Sequence, residues 1–100
     1  MNGEYMLHHI VMIKYKADTP TEIPQQFCAD VLALKDDIPE IVSVTIGSDV
    51  LKSARSWDLA LHVVLGSMDD LSGYQSHPAH VAALAKNNPW VAEVGAVDFS

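Results

Sequence analysis

Tyr74-Gln75-Ser76-His77-Pro78-Ala79-His80 holds the densest chemistry in this 100-residue chain. A neutral imidazole can accept a proton at cellular pH, including one from carbon beside a carbonyl. A tyrosine hydroxyl can donate a hydrogen bond to the enolate oxygen that such a step creates. His80 and Tyr74 are therefore the candidate base and its assistant for an aldol-type ring closure without a cofactor. On an unbroken helix, side chains six residues apart point to different faces, but Pro78 lies between these two and resets their relation. The plainer alternative is that His77-Pro78 caps a helix and Tyr74 tethers the loop before it. His77 and His80 have the i, i+3 spacing of metal ligands, but no cysteine or further carboxylate accompanies them. Zinc usually takes three or four protein ligands, so no metal is expected.

The elements that must position these groups follow from periodicity. Leu7 to Lys16 reads as a strand with Leu7, His9, Val11, Ile13 and Tyr15 on one face and His8, Ile10, Met12, Lys14 and Lys16 on the other. Turn residues Asp18 to Pro20 lead to Thr21, an expected N-cap, and to a helix ending near Asp37. Its apolar stripe is Ile23, Phe27, Val31, Leu34 and Ile38, and Ile38-Pro39 ends it. Ile41 to Ile46 is a second strand, and Gly47 to Ser56 a polar surface connection. Trp57 to Leu65 is a third strand, with Trp57, Leu59, Leu61, Val63 and Leu65 on its apolar face and Asp58, Ala60, His62 and Val64 on the other. Ser67, Asp69 and Asp70 mark a helix start. That helix runs through Leu71 and Tyr74, breaks at His77-Pro78, and resumes from Pro78 through His80, Val81 and Leu84. Asn87-Asn88-Pro89 stops it, and Trp90 to Phe99 is the fourth strand.

Strand, helix, strand, strand, helix, strand is the split βαβ pattern of a ferredoxin-like α+β sandwich, βαββαβ. It predicts a four-stranded antiparallel sheet with two helices on one face, in a single domain over residues 1–100. The uncovered face, with Ile10, Met12, Ala60, His62 and Val64, would be a large exposed patch in a single copy, so a homodimer through that face is expected. His8 and His62 share this side, where two histidines near a twofold axis could respond to pH or bind a metal. His9 lies on the helix-facing side as a hydrogen-bonded core residue or a pocket residue. Cys28 reads as a buried inert thiol, Asp98 as a strand-end hydrogen-bonding group, and Trp57 and Trp90 as edge or seam residues.

Composition narrows the partners. Thirteen acidic residues against six basic give a net charge of −7, and 49% of the residues are hydrophobic. Nucleic acid and anionic membranes both require a basic footprint, so neither is an expected partner. No apolar run approaches the ~20 residues that span a bilayer, and the first residues lack a basic signal-peptide region. The expected location is the cytoplasm, in keeping with one cysteine and no internal disulfide. No dinucleotide, haem or flavin motif is present, and no cofactor is expected.

The segments His9 to Lys16, Ile38-Pro39, Asp58 to Leu61, Tyr74 to His80 and Val97-Asp98-Phe99 together resemble the stress-responsive A/B barrel (Dabb) domains of the dimeric α+β barrel superfamily. Tyr-x-x-His-Pro-x-His is the most specific of these elements. The resemblance starts near Met6, so residues 1–5 read as an extension. It implies a homodimer whose sheets face each other as a barrel, with a pocket in each subunit between sheet and helices. Members include plant cyclases of linear polyketides, and related barrels include monooxygenases. In the cyclase-like branch the histidine at His80 is the general base, the tyrosine at Tyr74 assists, and a histidine at His9 lines the pocket. The implied pocket also takes in Val11, Phe27, Val31, Leu59, Leu61 and His77. Leu59 stands where those cyclases carry a further histidine, and Val31 is aliphatic where theirs is aromatic. The expected function is binding of a small apolar, aromatic or polyketide-like molecule, with acid/base catalysis by His80 and Tyr74. The alternatives are a non-catalytic stress-associated binding module and a cofactor-independent monooxygenase.

Overall fold

The computed structural model describes residues 5–100. The extension expected at residues 1–5 therefore lies, but for Tyr5, outside the described residues. The elements are β1 (Leu7–Tyr15), α1 (Glu22–Asp37), β2 (Ile41–Ser48), β3 (Leu59–Leu65), α2 (Leu71–Ser76), α3 (Pro78–Asn87) and β4 (Val91–Phe99). Short 3₁₀ turns, Met68–Asp70 and Asn88–Trp90, lead into α2 and out of α3. The four strands form one antiparallel sheet in the order β2-β3-β1-β4, so the first strand is central and pairs with the last. This is the ferredoxin-like α+β arrangement the sequence pattern predicts.

Period-two alternation sends Leu7, His9 and Ile13 of β1 and Leu59, Leu61, Val63 and Leu65 of β3 toward the helices, where all are buried. They meet Phe27, Val31 and Leu34 of α1, Ile38 after it, and Tyr74 and Ala83 of the later helices. One buried polar tie crosses this layer. The Tyr15 hydroxyl donates to Asn87 Oδ1 at 2.6 Å, joining the end of β1 to the end of α3. The opposite face of the sheet is uncovered, and Met12, Val97 and Phe99 remain 38%, 60% and 48% exposed.

Three local expectations are corrected. Thr21 does not cap α1 through its hydroxyl: its own backbone is already helical, φ −61° and ψ −27°, whereas a capping residue sits extended. Trp57 does not continue the β3 apolar face. The Asp58 N–H donates to the Ile13 carbonyl and the Asp58 carboxylate accepts from the Tyr15 N–H, which locks a bend ahead of the strand. Trp57 consequently lies on the uncovered face, with Lys14 Nζ 5.0 Å from its ring centroid. Val64, expected as open interface, is already 7% exposed within one chain. Leu59, at 1% exposure, anchors β3 to the helix layer. Leu59→Ala is expected to cost about 2–5 kcal/mol of stability by chemical denaturation, from lost burial plus the cavity left behind.

Candidate functional site

The interruption between α2 and α3 builds the site. Pro78 cannot continue the hydrogen-bond ladder, so His77 turns extended (φ −60°, ψ 135°) and becomes the N-cap of α3. Its Nδ1 accepts from the Ala79 N–H at 3.1 Å. This bend brings together side chains that a straight helix would separate. The rings of Tyr74 and His80 lie 4.6 Å apart, centroid to centroid, inclined at 56°. His9, reaching across from β1, meets Tyr74 with ring centroids 5.9 Å apart and planes inclined at 69°.

Each imidazole is oriented by a second group. His80 Nδ1 lies 3.0 Å from the Gln75 carbonyl. A carbonyl can only accept, so the proton sits on Nδ1 and Nε2 keeps its lone pair when the ring is neutral. His9 Nδ1 lies 2.5 Å from the Asp98 carboxylate, which fixes the same tautomer there. Burial lowers the His80 pKa below the ordinary histidine value, and the charges of His9 and His77 add to that, against a smaller opposing effect of the Gln75 carbonyl. Burial also pushes Tyr74 up to about 12. At neutral pH the pair is thus an unprotonated imidazole beside a phenol that keeps its proton.

A cavity of about 510 Å³ opens beside these rings. Its walls include His9, Val11, Phe27, Val31, Leu61, Tyr74 and His80, and Gln75, Asn88 and Glu93 stand at its exposed rim. No Lys or Arg is among the described lining residues. Two expected pocket residues lie elsewhere. Leu59 is packed into the core beside Ile13 and Ser48, its neighbours in register. His77 spends its ring on capping α3. Asp98 orients His9, a role the sequence reading did not assign. The signal was available in the antiparallel pairing of the first and last strands, which sets His9 opposite Asp98. Gln75 acts through its backbone and leaves no side-chain signature.

Among the described residues, no group of three or more His, Cys, Asp or Glu is gathered as a metal site, and no helix is long and apolar enough to cross a membrane.

A ferredoxin-like sandwich with a histidine- and tyrosine-lined cavity between sheet and helices defines the class of protein. The chain matches the family model of the Stress responsive A/B Barrel Domain, Dabb, over residues 7–100, and it belongs to that family. It is similar to a dimeric protein of unknown function with a ferredoxin-like fold from Bacteroides fragilis, at 28% identity and a TM-score of 0.87 over 95% of each chain. It is also similar to a dimeric ferredoxin-like protein of unknown function from Thermobifida fusca, at 29% identity and a TM-score of 0.86, covering 95% of this chain and 90% of that one. The hydroxynitrile lyase of Passiflora edulis shares the fold at 19% identity, with a TM-score of 0.83 over 96% of this chain and 93% of that one. No curated protein matches the chain.

The depressed His80 pKa carries a sign that can be measured. As pH falls, the unfolded chain takes up this proton before the folded one does, so His80 lowers stability once pH drops below the ordinary imidazole value. Urea midpoints at pH 7.5 and 5.5 should therefore differ less in His80→Gln than in the wild type. An equal or larger difference in the variant would contradict the assignment.

Proposed function

We propose that each subunit of a homodimer binds a small, neutral, largely apolar carbonyl compound in this cavity and catalyses cofactor-independent proton transfer on it. The observation that carries the reading is the convergence of Tyr74 and His80, rings 4.6 Å apart, on one cavity. His80 Nε2 removes a proton from carbon next to the carbonyl, and the Tyr74 O–H donates to the oxygen as negative charge develops there. In a ring closure the enolate carbon then attacks a second carbonyl of the same molecule, and the His80 imidazolium returns its proton to the new alkoxide. His9, held by Asp98, offers a second Nε2 to the same substrate. The absence of Lys and Arg from the described lining residues argues for a substrate without phosphate or carboxylate, because a buried anion needs a partner.

The largely aliphatic wall of Val11, Val31 and Leu61 favours a second reading, binding without turnover. A thermal-shift screen with neutral aromatic and polycarbonyl compounds identifies ligands, since binding to the native state raises the melting temperature. With a turned-over ligand in hand, His80→Ala should lower kcat on the order of 10²–10⁴-fold. Tyr74→Phe should cost less, because the ring persists and one hydrogen bond is lost. Unchanged ligand binding with no turnover in any variant, wild type included, supports the binding module instead.

The homodimer rests on the uncovered sheet face and on the dimeric relatives from Bacteroides fragilis and Thermobifida fusca. Sedimentation at micromolar concentration should give twice the 10.9 kDa chain mass, with more than about 1,000 Å² buried in total. Met12→Lys should weaken association at least tenfold, roughly 1.4 kcal/mol, by placing an unpaired charge in an apolar interface.

A further inference from the structure

On the uncovered face, away from the cavity, Phe99 of β4, His8 of β1 and His62 of β3 form one continuous contact across the sheet. The His8 ring stacks on Phe99, with centroids 5.0 Å apart and planes 9° from parallel. His8 Nδ1 lies 3.0 Å from His62 Nε2. Two imidazoles in hydrogen bond share one N–H between two nitrogens, so one of the two facing atoms must be an unprotonated acceptor. By register the surrounding positions on this face are Ile10, Thr45, Val64 and Val97, none of which titrates. Lys14 and Glu93 are the charged pair of the face, 3.8 Å from each other and six residues along β1 from His8. Arg55 and Asp49 line a groove with Met12 and Trp57, toward that same far end. Asp98, although next to Phe99, points to the helix side and holds His9. Among the described residues no carboxylate pairs with either His8 or His62.

We infer that the His8–His62 pair is a proton-sensitive latch of the sheet face, which releases the second copy of the chain as pH falls below neutrality. The inference rests on the homodimer proposed above. In a single copy both rings are half-buried and reach water, so each can take a proton. Under a second copy a first proton puts a charge among Ile10, Met12 and Val97, with no counter-charge from the described residues of its own chain. A second proton removes the acceptor and sets two N–H groups against each other at 3.0 Å. Separated copies therefore bind more protons than the dimer, and by linkage acid favours separation. Each proton taken up on dissociation raises Kd about tenfold per pH unit below the histidine range. His9, His77 and His80 lie on the helix side, bonded to Asp98, Ala79 and Gln75, and are not covered by the partner in this arrangement.

The test is the dimer Kd by analytical ultracentrifugation from pH 8.0 to 5.5, a range in which carboxylates as a class stay ionised. It uses the wild type, His62→Gln and the double variant His8→Gln/His62→Gln, with circular dichroism to check folding. Glutamine keeps a donor and an acceptor at the site and does not titrate. Wild-type Kd should rise at least tenfold between pH 7.5 and 5.5, and the double variant should dimerise at pH 7.5 and stay within threefold across the range. A wild-type dimer equally tight at both pH values overturns the latch and leaves the dimer standing, as does a pH dependence that the double variant retains. A single copy at every pH overturns both. If the double variant does not fold, His62→Gln must show a reduced slope on its own, and an unchanged slope overturns the proposal.

Discussion

A four-stranded sheet has two faces, and this chain makes helix enough for only part of one. The helix layer sits most tightly over β3 and the start of β1, where Val63 and Leu65 are fully buried and Leu7 nearly so. Toward β4 it falls short. Val94 is a cavity-lining residue yet 65% exposed, and the neighbouring helix-side residue in β4 is only an alanine, Ala96. The cavity exists because an edge strand with small side chains lies under the margin of an incomplete helix layer. The same shortage leaves the far face bare, with Met12, Val97 and Phe99 open to solvent. Pocket and bare sheet face are thus two consequences of one deficit of covering structure.

Within that frame a single proline arranges the chemistry. A continuous helix from Leu71 to Asn87 would set Tyr74 and His80 well apart around its axis. The extended His77 between α2 and α3 restarts the helical phase, and the His77 ring stabilises the restart by accepting from Ala79. The freed Gln75 carbonyl then accepts from His80 rather than from a regular helical partner. Backbone that a helix would have used internally is thereby turned to holding a side chain.

Much of this was legible in the sequence. Element order, the two faces of β1 and the alternation of β3 from Leu59 onward follow from period-two patterning, and the break at Pro78 follows from proline's missing N–H. Seven of the proposed pocket positions, His9, Val11, Phe27, Val31, Leu61, Tyr74 and His80, line one cavity. What was not legible depends on contacts that pattern does not encode. Trp57 fits the alternation of β3, but two hydrogen bonds of Asp58 bend the chain first and put the indole on the other side. Leu59 shares a face with Leu61, yet at 1% exposure its side chain is spent on core packing and leaves no wall to the cavity. His77 belongs to the same motif as His80 but stands at the turn itself, so its nitrogen is consumed by the helix it starts.

The electrostatics of the cavity bound its chemistry more tightly than its shape does. With no Lys or Arg among the described lining residues, no permanent cation meets a developing oxyanion, which leaves the neutral donor Tyr74 and an imidazole that has taken up a proton. Tyr74 suits that part because burial holds its proton in place, with a pKa of about 12. The same burial keeps His80 unprotonated and able to accept, where a more exposed imidazole would be partly charged near neutrality. One cause, removal from water, therefore shifts the two groups in the directions that make one a donor and the other an acceptor. A reaction that builds full negative charge would find little compensation here. The proton transfer proposed above, in which charge would be spread over an enolate and quenched by the proton taken up on His80, fits the site far better.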